Sequence, residues 1–156
     1  NVAAGIVVGK LGTATVSTDE LREALRAHAG GAQGLLAAAQ VATALAQARA
    51  AGERVVVMFG PFEPFDVRRL GEIEAASRLG DRLLLIDLAD DGDDDALRLH
   101  AALRAVDWVV RLPGAEAEAL LGSHAPDLVA RSGRESAFPK LPAVRVCPVG
   151  IAQDPR

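Results

Sequence analysis

The sequence predicts an α/β protein in which helices cover both faces of a parallel sheet of about five strands. Apolar runs such as "RVVVMF" (54–59) and "RLLLID" (82–87) are continuous, as strands buried on both faces of a parallel sheet require. Between these runs, apolar residues recur at helical spacing. Strands that alternate with helices of about 10 to 15 residues form βαβ units. The pattern indicates a three-layer, Rossmann-like fold preceded by helices.

Composition limits the classes of function. The 156 residues carry a net charge of −4 and are half apolar, which is typical of one globular domain with a full core. An acidic chain without a basic stripe predicts no nucleic-acid partner. There is no apolar stretch of membrane-spanning length and no signal-peptide pattern, so no membrane association and a cytoplasmic location are expected. Cys147 is the sole cysteine, which excludes an internal disulfide and a cysteine-based zinc site.

The first part of the chain, residues 1–34, is predicted to be a helical segment and linker. Its apolar run at 1–9 resembles the end of a buried helix, and "STDE" at 17–20 is a capping box. "GAQG" at 31–34 is the linker candidate. Since the chain begins with Asn1 inside a helix-like run, we expect a piece of a longer protein.

The second part, residues 35–156, is predicted to be the α/β domain. Each strand is predicted from a continuous apolar run, and each helix from apolar residues that recur at helical spacing. The predicted strands are 54–59, 82–87, 107–112, 127–131 and 143–148, and the predicted helices are 35–51, a helix starting near Asp66, one marked by Ala96 to Val106, and 115–122.

A sheet of this kind binds ligands at the carboxyl ends of its strands, where strand order reverses. The turn after the first predicted strand, 59–66, is therefore the candidate site. Gly60 allows a close backbone approach, but the turn has no His, Lys, Ser or Thr. Asp66 is a good N-cap for the next helix and can occupy the amides that would attract phosphate. Glu63 adds a second negative charge, so the sequence favours an ordinary capped turn.

Two arginines follow the turn. Arg68 and Arg69 could clamp a phosphate, but pairing of both with Glu72 on a solvated helix face is the interpretation that the spacing favours. The acidic run 87–95 lacks the EF-hand pattern. Capping of the next helix by its last aspartates is favoured there, with a weak Mg²⁺ contact through Asp90 as the alternative.

Other chemically capable side chains are interpreted as structural. His28, His100 and His124 are far apart and form no i, i+4 pair. Trp108 and Cys147 lie in apolar strand patterns, where packing in the core is the expected role. No Ser-His-Asp or Cys-His arrangement is present, so the sequence assigns no catalytic residue and no metal ligand.

Two stretches resemble one family, the bifunctional ADP-heptose synthase. "NVAAGIVVGKLGTATVSTDEL" (1–21) is similar to the last helix and tail of its ribokinase-like sugar kinase half. "ARAAGERVVVMFGPFE" (48–63), with "AASRLGDRLLLIDLADD", "LRAVDWVV" and "APDLVARSG" further on, is similar to its adenylyltransferase half. The resemblance implies a cytidylyltransferase-like nucleotidyltransferase fold. It also implies transfer of an adenylyl group from ATP to a sugar 1-phosphate, beside a sugar-kinase domain in the parent chain.

The family's phosphate-handling residues are largely missing. Its turn pattern, G-C-F-D-x-L-H-x-G-H, becomes "GPFEPFDVRRL", which keeps Gly60 and Phe62, places Asp66 at the second His and is three residues shorter. A Lys-Gly loop is cut to "GDDDA", Arg131 stands at the position of a Lys, and a closing Ser-Thr-Thr segment is not found before Arg156. Loss of one transition-state donor typically costs ~2.7–4 kcal/mol.

The hypothesis that these losses favour is a degenerate nucleotidyltransferase domain, which serves packing, homo-oligomerisation or weak nucleotide binding. An active enzyme with ATP, Mg²⁺ and a rebuilt arginine site is the alternative. The third possibility is an interaction domain whose cleft is closed by Pro61, Pro64 and Phe65. If the protein retains binding of a nucleotide or sugar phosphate, the predicted contacts are Phe59, Gly60, Phe62, Arg68, Arg69 and Arg131.

Overall fold

The computed structural model describes residues 34–90, 92, 94–132 and 145–149. The predicted capping box at 17–20, the kinase-like tail and most of the 1–34 segment lie outside these residues. Within them, six strands form one sheet in which every neighbouring pair is parallel. The order across the sheet is Gly34–Leu35, Trp108–Arg111, Arg82–Asp87, Val55–Phe59, Leu128–Ser132 and Arg145–Val149. The α/β prediction is therefore confirmed.

The described residues contain ten elements, in which strands and helices alternate as far as the strand at 128–132. They are β1 (Gly34–Leu35), α1 (Ala38–Ala50), β2 (Val55–Phe59), α2 (Val67–Ser77), β3 (Arg82–Asp87), α3 (Asp94–Ala101), β4 (Trp108–Arg111), α4 (Gly114–Ser123), β5 (Leu128–Ser132) and β6 (Arg145–Val149).

The sheet separates two hydrophobic clusters, which makes the fold three-layered. Side chains of a strand alternate between faces, so Val57 of β2 lies with α1 and α4, whereas Met58 lies with α2 and α3. All residues of β2 and β3 are buried, as expected for central strands covered on both faces.

An ion network holds the amino ends of the central strands together. Arg82 donates to both carboxylate oxygens of Glu53 at 2.9 Å and to Asp107 at 3.1 Å. Asp107 also accepts from the Leu83 amide at 2.9 Å. Burial lowers the pKa of the Arg82 guanidinium, but the hydrogen bonds and charges of Glu53 and Asp107 raise it by more, so the net shift is upward. Because these charges pair with one another, we assign a structural role to the side chains at this end of the sheet.

The sequence missed one strand. Gly34 was predicted to end a linker and Leu35 to begin a helix, but these two residues pair with β4 and α1 begins at Ala38. Leu36 then donates its amide to Val109 and is buried. The predicted count of about five strands becomes six for this reason. In the part of the chain that the structure describes, the helices are too short or too polar to cross a bilayer.

Candidate functional site

The reversal of strand order lies between β2 and β5. From β2 the chain adds β3 and β4 on one side and then returns to place β5 on the other side of β2. Ligands of open α/β sheets bind in the crevice at the carboxyl ends of such strands. Gly60 follows β2 and Ser132 ends β5, so the turn 60–66 lies at the predicted place.

An aromatic ring lies against Gly60. A Cβ atom added at Gly60 would lie 2.6 Å from Cδ2 and 2.7 Å from Cε2 of Phe62, closer than real Cβ contacts. Phe62 is 3% exposed and belongs to the cluster beneath α2 and α3. The absence of a side chain at Gly60 therefore makes room for the protein's own Phe62 ring.

The first turn of α2 is capped by an aspartate, as the sequence predicts. Oδ1 of Asp66 accepts a hydrogen bond from the Arg69 amide at 2.7 Å. The residue is extended and precedes the first helical residue, Val67, which is the geometry of an N-cap. Glu63 accepts from the Phe65 amide at 3.3 Å within the same turn. Asp66 thus accepts from an amide of the first turn of α2, and Glu63 accepts from an amide of the turn itself.

A buried polar cluster bridges the crevice. Arg69 donates to Oε2 of Glu72 at 3.2 Å and to the carbonyl oxygen of Pro61 at 3.1 Å. The hydroxyl of Ser132 donates to the same Glu72 oxygen at 2.9 Å. All three side chains are 2% exposed or less. The cluster joins the turn and α2 to the end of β5.

The predicted solvated helix face is therefore wrong for Arg69. The pairing with Glu72 is present, but burial beneath Pro61 and beside Ser132 removes this guanidinium from water. Its carbon Cζ lies 5.8 Å from the centre of the Phe62 ring. Arg68 fits the prediction, because its side chain is 58% exposed and its Nε lies 3.6 Å from Glu72.

The remaining predicted contacts lie apart from this cluster. Phe59 is the last residue of β2 and is fully buried with α1 and α4. Arg131 is exposed and precedes Ser132 in β5. Consecutive strand residues point to opposite faces, so Arg131 leaves β5 on the face opposite to Ser132 and Glu72. Whether any of these residues binds a nucleotide stays a prediction.

His100 supports the turn from α3. Its Nδ1 lies 2.6 Å from the carbonyl oxygen of Ala96, and the residue is 1% exposed. The ring lies 5.5 Å from that of Phe62 and 5.0 Å, edge to face, from that of Phe65. The structural role predicted for His100 fits this packing, but sequence spacing gave no signal for the two phenylalanines.

The residues that fill the crevice differ from those named in the closed-cleft alternative. Pro61 and Pro64 are exposed and Phe65 is partly buried. The side chains that enter the interior are those of Phe62 and Arg69.

A second paired cluster lies at the carboxyl ends of β3 and β4. Arg111 lies 3.3 Å from Asp87 and 2.9 Å from Asp94, and also donates to the Gly92 carbonyl at 3.1 Å. It thereby joins the acidic loop to the sheet. Asp94 begins α3, close to the predicted start of that helix. The described residues contain no group of three metal-ligating side chains, and Asp93, one of the predicted caps, lies outside them.

The sheet order and the helices on both faces define a Rossmann-like α/β domain with a glycine turn at its switch point. The resemblance found in the sequence is confirmed by relatives. The chain is homologous to proteins named Bifunctional protein HldE, the ADP-heptose synthase.

Three of these relatives show the extent of the match. The identity is 41% to the HldE protein of Alcanivorax borkumensis and 38% to those of Haemophilus influenzae and Hahella chejuensis. Each match covers 85% of this chain but 31% of the relative. The chain thus spans about a third of the length of these relatives. No protein-family model matches it.

A solved structure supports the fold. The lipopolysaccharide core biosynthesis protein from Thermoplasma volcanium superposes with a TM-score of 0.53 at 14% identity, over 64% of this chain and 98% of that one. At this identity the likeness concerns the fold alone.

Proposed function

We propose that this chain carries a degenerate nucleotidyltransferase domain that performs no adenylyl transfer. The observation that carries the proposal is the internal occupation of the strand-end turn. Asp66 binds the Arg69 amide at 2.7 Å, at the helix end that would attract a phosphate. A triphosphate would have to displace this carboxylate from the helix end while repelled by its charge.

The packing of Phe62 supports the same proposal. Close approach of a phosphate to a glycine backbone needs open space at that glycine. Here the Phe62 ring lies against Gly60. Cζ of Arg69 lies 5.8 Å from the centre of that ring, and the Arg69 guanidinium forms a buried ion pair with Glu72. Moving the ring would expose a large apolar side chain and disturb Arg69 as well.

The domain then acts through its fold. We propose that it serves packing, oligomerisation or weak nucleotide binding beside a sugar-kinase domain of a longer parent chain. The relatives support a parent with two activities, because they are named bifunctional and the chain corresponds to 31% of their length.

An active enzyme with an arginine-based site remains the second candidate. Arg68 supports it, since its guanidinium is exposed near the turn and arginine binds phosphate oxygens in bidentate fashion. That candidate uses ATP and Mg²⁺ with a sugar 1-phosphate, and it requires Arg68, Arg69 and Arg131 to converge. The burial of Arg69 against Glu72 and the opposite face taken by Arg131 favour the non-catalytic domain.

A turnover assay tests the proposal. The complete chain is incubated with ATP, Mg²⁺ and a heptose 1-phosphate, and the release of pyrophosphate is followed over time. We expect no release above that of a protein-free control. Release that depends on the sugar phosphate and falls in an Arg131→Ala variant would contradict the proposal and support the second candidate.

A further inference from the structure

Two hydrogen-bond donors and one further guanidinium surround a single buried carboxylate at the switch point. Glu72 is 1% exposed, and its Oε2 receives the Arg69 guanidinium at 3.2 Å and the Ser132 hydroxyl at 2.9 Å. Its Oε1 lies 3.6 Å from Nε of Arg68. The Glu72 side chain thus links α2, to which it belongs, to the end of β5, where this class of sheet binds ligands.

The donor set is one that suits a phosphate. Two guanidinium groups and a hydroxyl bind anionic oxygens by charge-assisted hydrogen bonds. Without Glu72, the two arginines would leave two positive charges at this position, one of them buried. The carboxylate therefore fills an anion position with a group from the protein itself.

The cluster has donor capacity that Glu72 does not fill. Nε of Arg69 is buried and has no hydrogen-bond partner in the described part of the chain, although its other two nitrogens bind Glu72 and Pro61. Buried donors without partners are uncommon in folded proteins. The unfilled donor shows that Glu72 and Pro61 do not use the full hydrogen-bonding capacity of this guanidinium.

We propose that Glu72 is an internal ligand that closes a latent phosphate-binding position formed by Arg68, Arg69 and Ser132. The inference rests on the proposed function, in which the turn does not bind a nucleotide. It adds that the Glu72 carboxylate prevents phosphate binding, together with the Asp66 cap and the Phe62 ring. Removal of Glu72 opens the position to a small anion.

The test replaces Glu72 in the complete chain and uses inorganic phosphate as the probe. Glu72→Ala removes the carboxylate and leaves space, whereas Glu72→Gln keeps the volume and removes the charge. Glu74→Ala is the matched control, because Glu74 lies on the same helix and is exposed. Thermal unfolding is measured in sodium phosphate and in sodium chloride of equal ionic strength.

In chloride, Glu72→Ala is expected to unfold at a lower temperature, because a buried guanidinium has lost its counter-ion. Phosphate is expected to reverse this loss in a saturable manner. At about ten times its Kd, phosphate should multiply the folding equilibrium constant of this variant about tenfold. The midpoints of the unchanged protein and of Glu74→Ala should differ between the salts only by the small, non-saturable stabilisation that phosphate gives to folded proteins in general.

A phosphate effect of equal size in the unchanged protein, Glu74→Ala and Glu72→Ala would overturn the inference, and so would the lack of any effect in Glu72→Ala. If Glu72→Ala does not fold in either salt, the same comparison of midpoints is made with Glu72→Gln. Its midpoint should rise more in phosphate than that of the unchanged protein, because loss of the carboxylate charge leaves Arg68 and Arg69 without their counter-ion, and a rise no larger than that of the unchanged protein would overturn the inference.

The outcome separates the two proposals. Micromolar binding of ATP and Mg²⁺ by the unchanged protein would contradict the proposed function whatever Glu72→Ala does. No ATP binding by the unchanged protein, together with no phosphate effect in the variant, would leave the proposed function standing and remove the role of Glu72 alone.

Discussion

At the scale of single residues, the turn is determined by what Asp66 and Phe62 contact. Asp66 caps α2 through the Arg69 amide, and Phe62 packs against Gly60. In the proposed function, each contact uses a position that a nucleotide phosphate would need. In that proposal, the two residues therefore stabilise the fold and exclude an anion by the same interactions.

The Asp66 cap leads to a stability prediction. Asp66→Ala removes the acceptor of the Arg69 amide and should lower the free energy of unfolding by about 1 kcal/mol. Asp66→Asn keeps an acceptor and should cost less. Urea denaturation of both variants checks this, and equal losses would show that the carboxylate acts through something other than its capping oxygen.

The contact at Gly60 predicts a larger effect. Gly60→Ala would place a Cβ atom 2.6 Å from the Phe62 ring, and overpacking of this kind typically costs about 1–3 kcal/mol. Gly122→Ala is the control, since a Cβ there meets nothing within 4 Å. Denaturant melts should show a loss for Gly60→Ala and none for Gly122→Ala.

A double variant identifies the cause. If the Phe62 ring is the obstacle, Gly60→Ala should cost less in a Phe62→Leu background than in the unchanged protein. Strict additivity of the two substitutions would contradict the assignment.

Residue-level prediction from sequence worked where the partner is local. The Asp66 cap and the pairing of Arg68 with Glu72 follow from spacings of three and four residues, and both are present. The burial of Arg69 could not be predicted in this way. It depends on Ser132, which binds Glu72 from 60 positions further along the chain, and on the path that brings the Pro61 carbonyl back over the helix.

At the scale of elements, the central strands and the edge strand β6 were predictable, but the two-residue edge strand β1 was not. The strand 82–87 was predicted with the bounds that the structure has, because its apolar run is continuous and its ends are polar. The edge strand Gly34–Leu35 has two residues, too few to show any period. Its pairing with β4 is a tertiary property, so the local Gly34 signal was interpreted as a linker.

The ion network at the amino ends of the strands should be important for stability. Asp107→Ala leaves the buried Arg82 without one counter-ion and the Leu83 amide without its acceptor. Breaking a buried pair in this way typically costs about 3–5 kcal/mol. Arg98→Ala, whose pair with Asp95 is exposed, should cost less than about 1 kcal/mol. Chemical denaturation of the two variants compares them, and similar losses would contradict the structural role given to the network.

At the scale of the whole molecule, both hydrophobic clusters and all six described strands lie after residue 33. We propose that this part folds independently of the preceding segment. A fragment of residues 32–156 should therefore unfold in one cooperative transition. A fragment of residues 37–156 lacks β1 and the buried Leu36, and should be less stable by at least ~2 kcal/mol. Equal stability of the two fragments would show that β1 is dispensable.

The most direct test of the central claim, that the strand-end site is internally occupied, is a calorimetric titration of the complete chain with ATP and Mg²⁺, repeated with an Arg131→Ala variant. The account predicts no saturable heat for either protein and no thermal shift at millimolar ATP. Saturable micromolar binding that the Arg131→Ala substitution weakens would contradict it and would indicate a rebuilt nucleotide site.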